Sequence, residues 1–309
     1  MGQISDRDIG KRVTIRLHDN PESGGGFRDI VGYLLSPTTL KNRHGEIIEF
    51  NPADIYIWRE IAEVPRTAKS GAPLSIRIYD LERVANKTWR AAEEEAIGNW
   101  ILRADVGVTR RANSALILGS DNQIDSTINW YRNRNLQPTV SLVPAINDSL
   151  DQELERRGFE KLLDLDLMVK EPSTSQVEFK YEVSQTPSDD WLAIHGDKPI
   201  APLLARCDAK YLKIYKDNDL ITIGRVAFVD DWALISRIWV APEARGKGFG
   251  RKMLSALEYE SNGAKLALQV QRENKSAFSL YKSAGYQTHH SCRFRALSLQ
   301  KDLIQDCQC

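Results

Sequence analysis

The stretch VAPEARGKGFGRKML, residues 240–254, decides how this sequence folds. A run rich in aromatic and β-branched residues, typical of a strand, ends just before it. Three glycines then alternate in a loop at positions 246, 248 and 250, and apolar residues at helical spacing follow. Alternating glycines let the backbone approach a ligand closely, and a helix N-terminus offers unpaired N–H groups suited to a pyrophosphate. With Arg245 and Lys247 adding positive charge, the stretch predicts a phosphate-binding strand–loop–helix unit.

The spacing of these glycines excludes two common nucleotide-binding motifs. It is G-x-G-x-G, whereas dinucleotide-binding folds use G-x-G-x-x-G and P-loops use G-x-x-x-x-G-K-[ST]. The spacing Arg245-x-x-Gly248-x-Gly250 instead resembles the R/Q-x-x-G-x-G/A acetyl-CoA loop of the GCN5-related N-acetyltransferase family. Members of that family transfer an acyl group from CoA to an amine.

A second motif follows about thirty residues later. The predicted strand Leu266–Val270 leads to a run that matches the family's closing pattern, V-x-x-x-N-x-x-A-x-x-x-Y-x-x-x-G-F/Y. Its matching residues are Val270, Asn274, Ala277, Tyr281, Gly285 and Tyr286. Two motifs in this order and at this separation are more specific than either alone, and the resemblance covers about residues 180–300.

The resemblance implies a fold, a cosubstrate and a mechanism. The fold is the α/β (α+β) acyl-CoA N-acyltransferase fold, whose mixed, mostly antiparallel sheet splays around the thioester. Acetyl-CoA is the cosubstrate, no metal is expected, and transfer to the amine is direct, within a ternary complex. Backbone N–H groups at the end of the strand before the loop would polarise the thioester carbonyl, and Tyr281, the predicted catalytic residue, would protonate the leaving thiolate. The predicted CoA-binding residues are Ile238, Trp239, Val240, Arg245, Gly246, Lys247, Gly248, Phe249, Gly250, Arg251, Asn274, Ala277 and Tyr281.

The general base and the acceptor stay open at this level. Some family members use a glutamate on the strand before the loop, where this sequence has Ser236 and no acid. Asp230 and Asp231 are also candidates for the base, although both could simply belong to a solvated turn. His289 and His290 are further candidates, but on a regular strand one of two adjacent histidines should point away from the site. The polar turn at 110–114 contains Arg110 and Arg111, and it either binds a carboxylate of the acceptor or is a solvated turn.

Residues 78–172 are predicted to form a degenerate copy of the acetyltransferase fold, ahead of the complete domain at 176–305. Residues 122–137 resemble 272–287 at an offset of 150 residues, with Tyr131 opposite Tyr281. The region has no R-x-x-G-x-G loop, so it should not bind CoA in the usual way. Within it, apolar residues three and four apart predict a helix over about 80–104.

Residues 1–62 are predicted to form a small β barrel. Short alternating runs such as Val13–Leu17 and Ile30–Leu35 lie between turns rich in glycine and asparagine, and this pattern resembles an SH3-like barrel. Residues 63–76, with Pro65, Gly71 and Pro73, are predicted to be a linker. The order of barrel, degenerate half and complete domain resembles a group of actinobacterial acetyltransferases.

Composition narrows the class of partner. The chain has 309 residues, with 42 basic and 42 acidic side chains, which argues against a polybasic nucleic-acid binder. No apolar run reaches the roughly 18 residues that a membrane helix needs. The four cysteines form no CxxC pair and no Cys/His metal spacing, so a reducing cytoplasm is the expected compartment. A homodimer is left open.

The resulting interpretation is an acetyl-CoA-dependent N-acetyltransferase acting on a primary amine of a small molecule or peptide. The alternative is a non-catalytic acyl-CoA sensor or adaptor, which the missing base would explain. A third hypothesis makes the N-terminal barrel a docking module for nucleic acid or protein. Turnover separates the first two, and salt-dependent binding tests the third.

Overall fold

The chain forms two compact units, Met1–Ser70 and Gly71–Cys309. The computed structural model describes residues 4–18, 26–42, 46–60, 76–105, 108–172, 177–196 and 199–298. The predicted linker, except for its last residue, and the two C-terminal cysteines, Cys307 and Cys309, lie outside the described residues.

The N-terminal unit is an antiparallel sheet with the strand order β4-β3-β2-β1-β5. Alternate residues of the first strand, Val13, Ile15 and Leu17, are buried against apolar residues of its neighbours, as the alternating sequence predicts. The strand at 39–42 was not predicted from the sequence. The SH3-like assignment stays a prediction. The strands are β1 (Arg12–His18), β2 (Phe27–Ser36), β3 (Thr39–Asn42), β4 (Ile47–Glu49) and β5 (Ile55–Glu60).

The second unit contains seven helices and eleven strands among its described residues. The helices are α1 (Ile78–Lys87), α2 (Ile124–Arg132), α3 (Asp148–Arg156), α4 (Asp189–Ala193), α5 (Ala201–Leu204), α6 (Phe249–Glu260) and α7 (Lys275–Ser283). The strands are β6 (Glu93–Ile97), β7 (Trp100–Ala104), β8 (Ala115–Ile117), β9 (Thr139–Leu142), β10 (Phe159–Lys170), β11 (Glu182–Ser184), β12 (Ala209–Lys216), β13 (Asp219–Val229), β14 (Trp232–Val240), β15 (Lys265–Gln271) and β16 (Gln287–Leu297).

All eleven strands belong to one sheet, with the order β11-β12-β13-β14-β15-β10-β16-β9-β8-β7-β6. Two of the described pairings are parallel, β14 with β15 and β8 with β9, and the others are antiparallel. The expected mixed, mostly antiparallel sheet is therefore confirmed. Both parallel pairs are joined by a crossover helix, α6 in the first and α2 in the second.

The two halves of this unit exchange their last strands. Strand β10, from the first half, lies between β15 and β16 of the second half, and β16 in turn lies between β10 and β9. Because α2 and α6 both join parallel strands, α2 corresponds to α6, and α7 corresponds to α3. The predicted offset of 150 residues, which placed α2 opposite α7, is therefore wrong.

An offset of 127 residues fits the topology. It aligns Asn147 with Asn274 and Gly158 with Gly285, which precede and follow α3 and α7. Both glycines have positive φ, 82° and 91°, and each donates its amide to a carbonyl three residues earlier. Leu154 stands where the second copy has Tyr281. On this basis we propose that residues 78–172 are a degenerate copy without the tyrosine.

The predicted helix over 80–104 is wrong beyond Lys87. Helix α1 ends there, and β6 and β7 form a hairpin in which Ile97 pairs with Trp100. Gly98, with φ 58°, begins the two-residue turn. The glutamates at 93–95 pair with β7 on an exposed strand. This pairing forms a strand where the spacing of the apolar residues had predicted a helix.

Helices pack on both faces of the sheet around β14 and β15. On one face Leu81 and Ala85 of α1 contact Leu234 and Ala267. On the other face α6 buries Met253 and its neighbours against alternate residues of the same strands. These two layers position the site described below.

A buried ion-pair network connects α3 to β16. Asp151 of α3, 6% exposed, accepts hydrogen bonds of 2.6 Å from Nη1 of Arg293 and from Nε of Arg295. Replacing Asp151 by alanine leaves Arg295, which is 4% exposed, without its buried counter-charge. We expect Asp151→Ala to reduce the free energy of unfolding by about 3–5 kcal/mol, measured by urea denaturation.

Asp148 on the same helix provides a control for that prediction. It is exposed, and its carboxylate accepts a hydrogen bond from the side-chain amide of Gln152. Asp148→Ala should cost less than about 1 kcal/mol. Equal losses for the two variants would show that the buried network contributes nothing beyond helix stability.

Candidate active site

Strands β14 and β15 separate in the middle of the sheet. Their parallel pairing runs from Trp232 and Lys265 to Ile235 and Leu268 and stops there, although both strands continue. The backbone of β14 from Ser236 onward therefore faces a gap, where its hydrogen-bonding groups are not paired with β15. A gap of this kind offers main-chain donors to a ligand.

A β-bulge in β14 marks the start of the gap. Ser236 pairs with Arg225 and Trp239 pairs with Ile223, so Arg237 and Ile238 together lie opposite Gly224. Arg237 has φ 58°, an uncommon conformation for a residue other than glycine. A side chain at Gly224 would lie 2.7 Å from Leu257 of α6, so the glycine lets this helix pack against the bulge.

After the bulge, the three predicted strand residues alternate between the two faces of the sheet. Ile238 packs with the cluster beneath α6, and Val240 contacts Ala241 and Ala244 near the loop. Trp239 also packs against the cluster on the opposite side of the sheet. The backbone of this segment lies between the two faces, at the gap.

The glycine loop follows β14 and is open to solvent. Residues 245–248 are exposed, and Gly246 and Gly248 have φ of 73° and 84°. A Cβ at either glycine would meet no atom within 4 Å, so backbone conformation rather than space requires glycine there. Gly248 is the N-cap of α6, whose first amides have no partner inside the helix. The loop and helix start therefore present free N–H donors, as predicted.

Contacts between α6 and α7 hold the loop beside the second motif. A Cβ on Gly250 would lie 3.3 Å from Leu280, so the two helices approach closely. Arg251 donates a short hydrogen bond to the hydroxyl of Ser283. Arg245 donates to the carbonyl of Val240 at 3.2 Å, and Lys247 is exposed.

The second motif forms the start and inner face of α7. Asn274 is the N-cap, and its Oδ1 accepts a hydrogen bond of 3.0 Å from the amide of Ala277. Ala277 and Tyr281 are half-buried on the cluster that also holds Ile238 and Phe249. Burial raises the pKa of Tyr281 to about 12, so its phenol keeps its proton at neutral pH. The structure thus gathers the predicted residues of both motifs at one end of the gap.

The acidic candidates for the general base lie at the wrong end of β14. Asp230 and Asp231 precede Trp232, whereas the gap begins after Ile235. Asp231 pairs with Lys265 at 2.6 Å, and Asp230 lies 3.7 Å from Lys87. Both belong to a solvated turn.

The histidine pair breaks the expected alternation. In the pairing of β16 with β10, His290 lies opposite Leu167 and Thr288 opposite Met168, so His289 is an extra, bulged residue. The bulge brings the two rings together, with 2.7 Å between their Nδ1 atoms. The expectation that one histidine points away is therefore wrong.

His290 also belongs to a buried polar cluster beneath α1. Its Nε2 lies 2.9 Å from Oε1 of Glu82, and the Cys292 thiol donates to the same oxygen at 3.1 Å. Burial alone would raise the pKa of Glu82, but these hydrogen bonds and the charges of His290 and Arg111 bring it below its ordinary value. Burial raises the pKa of the Cys292 thiol well above its ordinary value, so the thiol keeps its proton and is a poor nucleophile. A Glu, His and Cys set within 4.8 Å has suitable donors for a metal, but each donor already has a hydrogen-bond partner.

A cavity of about 230 Å³ opens where β14 leaves β15. Its walls come from both strands, from the segment after α1, and from the polar turn at 109–111. The turn's two arginines differ, because Arg111 lines the cavity whereas Arg110 is exposed. The lining residues are Thr88, Trp89, Thr109, Arg111, Leu165, Arg225, Leu234, Ile235, Ser236, Arg237, Leu268, Gln269 and Gln271.

No motif or spacing in the sequence identifies Arg225 and Arg237, and the apolar spacing that includes Trp89 favours a core residue. Trp89 is indeed 4% exposed, but it also forms a wall of the cavity. Arg225 and Arg237 lie on paired strands, whereas Trp89 comes from a segment more than 130 residues earlier, so no local spacing brings the three together. The sequence offers one signal for Arg225. The apolar residues of β13 predict a buried strand, and Arg225 lies within it.

Parallel strands that splay beside a glycine loop, with a protonated tyrosine on the next helix, define the acyl-CoA N-acyltransferase class. Residues 75–295 match the family model described as "Probable histone acetyltransferase Rv0428c C-terminal". This chain belongs to that family, within the GCN5-related N-acetyltransferases, and it is an acetyltransferase.

Two relatives support the assignment. The chain is 31% identical to the "Uncharacterized N-acetyltransferase YobR" of Bacillus subtilis, across 68% of this chain and 94% of the relative. It is 29% identical to the "Probable histone acetyltransferase Rv0428c" of Mycobacterium tuberculosis, across 93% and 94%. Among solved structures, a GCN5-related N-acetyltransferase from Kribbella flavida has the same fold, with a TM-score of 0.56 and 14% identity over 71% of this chain and 94% of that one. No described helix is long and apolar enough to cross a membrane.

Proposed function

We propose that this protein transfers the acetyl group of acetyl-CoA to a primary amine by direct attack within a ternary complex. The observation that carries the proposal is the gap between β14 and β15, which has the exposed glycine loop at one end and the cavity beside it. The two sides of the gap supply separate places for the two substrates.

The glycine loop is suited to the pyrophosphate of CoA. The amides of Gly246 and of residues 248–251, at the positive end of the α6 dipole, would donate to phosphate oxygens. Arg245 and Lys247 add positive charge at the exposed rim. The backbone of Ile238–Val240 would pair with the pantetheine arm, and Asn274 and Ala277 would border it from α7.

The chemistry needs one bond formed and one broken. The amine nitrogen attacks the thioester carbonyl, a C–N bond forms, and the C–S bond breaks to release CoA. Because an ordinary amine is almost wholly protonated at pH 7, one proton first passes to solvent. As the C–N bond forms, the nitrogen loses a second proton to water, and Tyr281 gives its proton to the thiolate sulfur. Main-chain N–H groups of β14 would stabilise the oxyanion between these steps. The Tyr281 phenolate then regains a proton from solvent, which restores the enzyme.

The test combines binding and turnover in one sample. Acetyl-CoA is titrated calorimetrically into the full chain, and free thiol is then measured after pooled primary amines are added. Binding with thiol release supports the transferase. Binding without release from any amine would overturn the proposal in favour of an acyl-CoA sensor, and absence of binding would overturn the assignment of the glycine loop.

A further inference from the structure

Three arginines surround one tryptophan in the cavity at the gap. The guanidinium carbons of Arg111, Arg225 and Arg237 lie 6.0, 5.1 and 5.0 Å from the centre of a Trp89 ring. All four residues line the cavity. The electron-rich ring face stabilises each cation modestly, but it removes none of the mutual repulsion.

No carboxylate neutralises this group. Among the residues with described positions, none of the three arginines forms an ion pair, and no aspartate or glutamate lines the cavity. The nearby Glu82 attracts Arg111 electrostatically, but its carboxylate is already hydrogen-bonded to His290 and Cys292 beneath α1. The cavity therefore holds three positive charges within a partly buried space.

Most of the N–H donors of these arginines are uncommitted. Arg111 donates one hydrogen bond, of 2.7 Å, to the carbonyl of Ala85. Arg225 is 1% exposed and donates to Thr88, Cys207 and Ser236, yet its Nε is buried without a partner among the described residues. An arginine offers five N–H donors, so the set can also hold the oxygens of a carboxylate or a phosphate.

Burial of these cations and the repulsion among them lower the pKa values of two of the arginines. Burial and the positive charge of Arg225 lower the pKa of Arg237 to about 10. Burial also lowers the pKa of Arg111 to about 10. The positive charges of Arg103 and Arg225 act in the same direction, and the negative charge of Glu82 opposes them. Uncompensated buried cations are costly, and an anionic ligand would offset that cost.

We propose that the acceptor is a small primary amine that carries an anionic group, a carboxylate or a phosphate, held by Arg111, Arg225 and Arg237. The inference rests on the proposed function, since it names the acceptor for the same site. The cavity of about 230 Å³ is smaller than the roughly 300–1,000 Å³ of drug-sized ligand pockets, so it suits an acceptor about the size of an amino acid. A lysine-rich segment of a histone, the substrate in the name of the Mycobacterium relative, would be repelled by this cavity.

The test compares primary amines that carry an anionic, a neutral or a cationic group. Thiol release from acetyl-CoA is followed with amino acids, with the matching amino acid amides, with phosphoethanolamine, and with a lysine-rich peptide. The amides have the less basic amine, so they would react faster if the anion were not recognised. We expect kcat/KM for an anionic acceptor to exceed that for its neutral match at least tenfold, and the carboxylate and phosphate arms identify the anion.

Variants tie the preference to the arginines. Arg111→Gln and Arg237→Gln should each raise KM for the anionic acceptor about tenfold or more and reduce its advantage over the neutral amine. Arg110→Gln, in the same turn but exposed, is the matched control and should change neither. Acetyl-CoA affinity, measured by calorimetry, should be the same in all three and would reveal a variant that misfolds.

Other outcomes separate this inference from the proposed function. Thiol release that is equal or faster with neutral or cationic amines would overturn the anionic acceptor while the acetyltransferase stands. If acetyl-CoA binds but no amine releases thiol, the proposed function fails. In that case calorimetry of the amino acids with the CoA-bound protein decides the inference, since absence of binding, or binding that Arg237→Gln leaves unchanged, would overturn it.

Discussion

Tyr281→Phe is expected to lower kcat about 100-fold or more while leaving the affinity for acetyl-CoA within about twofold. The substitution removes the phenol and keeps the ring, which packs 6.0 Å from the ring of Tyr286. General acid catalysis of this kind contributes roughly 10²–10⁴ in rate. Without the proton, the thiolate must leave as an anion into a half-buried site, where charge is poorly solvated. The measurement is kcat from thiol release, with the dissociation constant from calorimetry.

The pH profile sharpens this prediction. A general acid must be protonated, so its contribution is lost as pH rises through its pKa. Because burial raises the pKa of Tyr281 to about 12, kcat should show no decline from this group up to pH 10. A descending limb near pH 8–9 that disappears in Tyr281→Phe would mean that the phenol titrates far lower and would contradict the assignment of its environment.

Tyr286→Phe is the matched control. It makes the same chemical change just after the end of α7, on a tyrosine that is 2% exposed, and phenylalanine is the alternative at this position in the pattern that the sequence resembles. Its kcat should stay within about twofold of the native value. If Tyr281→Phe also turns over at the native rate, Tyr281 has no part in the reaction.

The parts of the site that could be predicted from sequence are those that depend on local backbone chemistry. Gly248 adopts φ 84°, and the side chain of Asn274 caps α7. Each of these features depends on residues that are only a few positions apart in the sequence. The strand–loop–helix unit and the second motif were therefore recoverable from spacing alone. The fold class followed from them through the family resemblance.

The remaining features depend on how distant strands meet. The bulges at Arg237 and His289 arise from pairing with β13 and β10, so alternation along β14 or β16 misplaces the side chains. The arginine cavity likewise assembles residues from three separate segments. Helical spacing over 80–104 misled because two tryptophans of different clusters happen to lie eleven residues apart, at 89 and 100.

The repeat illustrates the same limit. At an offset of 150, residues 131 and 281 are both tyrosine, and Asn135 and Gly285 both have positive φ, so local likeness is real but topologically misleading. Only the parallel crossovers show that α2 corresponds to α6. The offset of 127 aligns fewer identical large side chains than the offset of 150. Its clearest match is between Gly158 and Gly285.

Gly248→Val is expected to weaken acetyl-CoA binding by a factor of 100 or more. At φ 84° a β-branched residue is strongly disfavoured, so the loop must change conformation and redirect the amides at the start of α6. Losing two hydrogen bonds to a charged phosphate costs about 3–6 kcal/mol, which corresponds to roughly 10²–10⁴ in affinity. Calorimetric titration with acetyl-CoA and with CoA measures the effect, and both ligands should be affected alike because they share the pyrophosphate.

Gly263→Val separates loss of the loop from general strain. Gly263 follows the opposite end of α6, has φ 77°, and a Cβ there would also meet no atom within 4 Å. The two variants therefore impose similar backbone strain and should lower the melting temperature to a similar extent, while Gly263→Val retains native affinity. Equal affinity losses in both would attribute the effect to destabilised helix packing. Native affinity in Gly248→Val would show that CoA does not use these amides, because the strained loop would have had to move them.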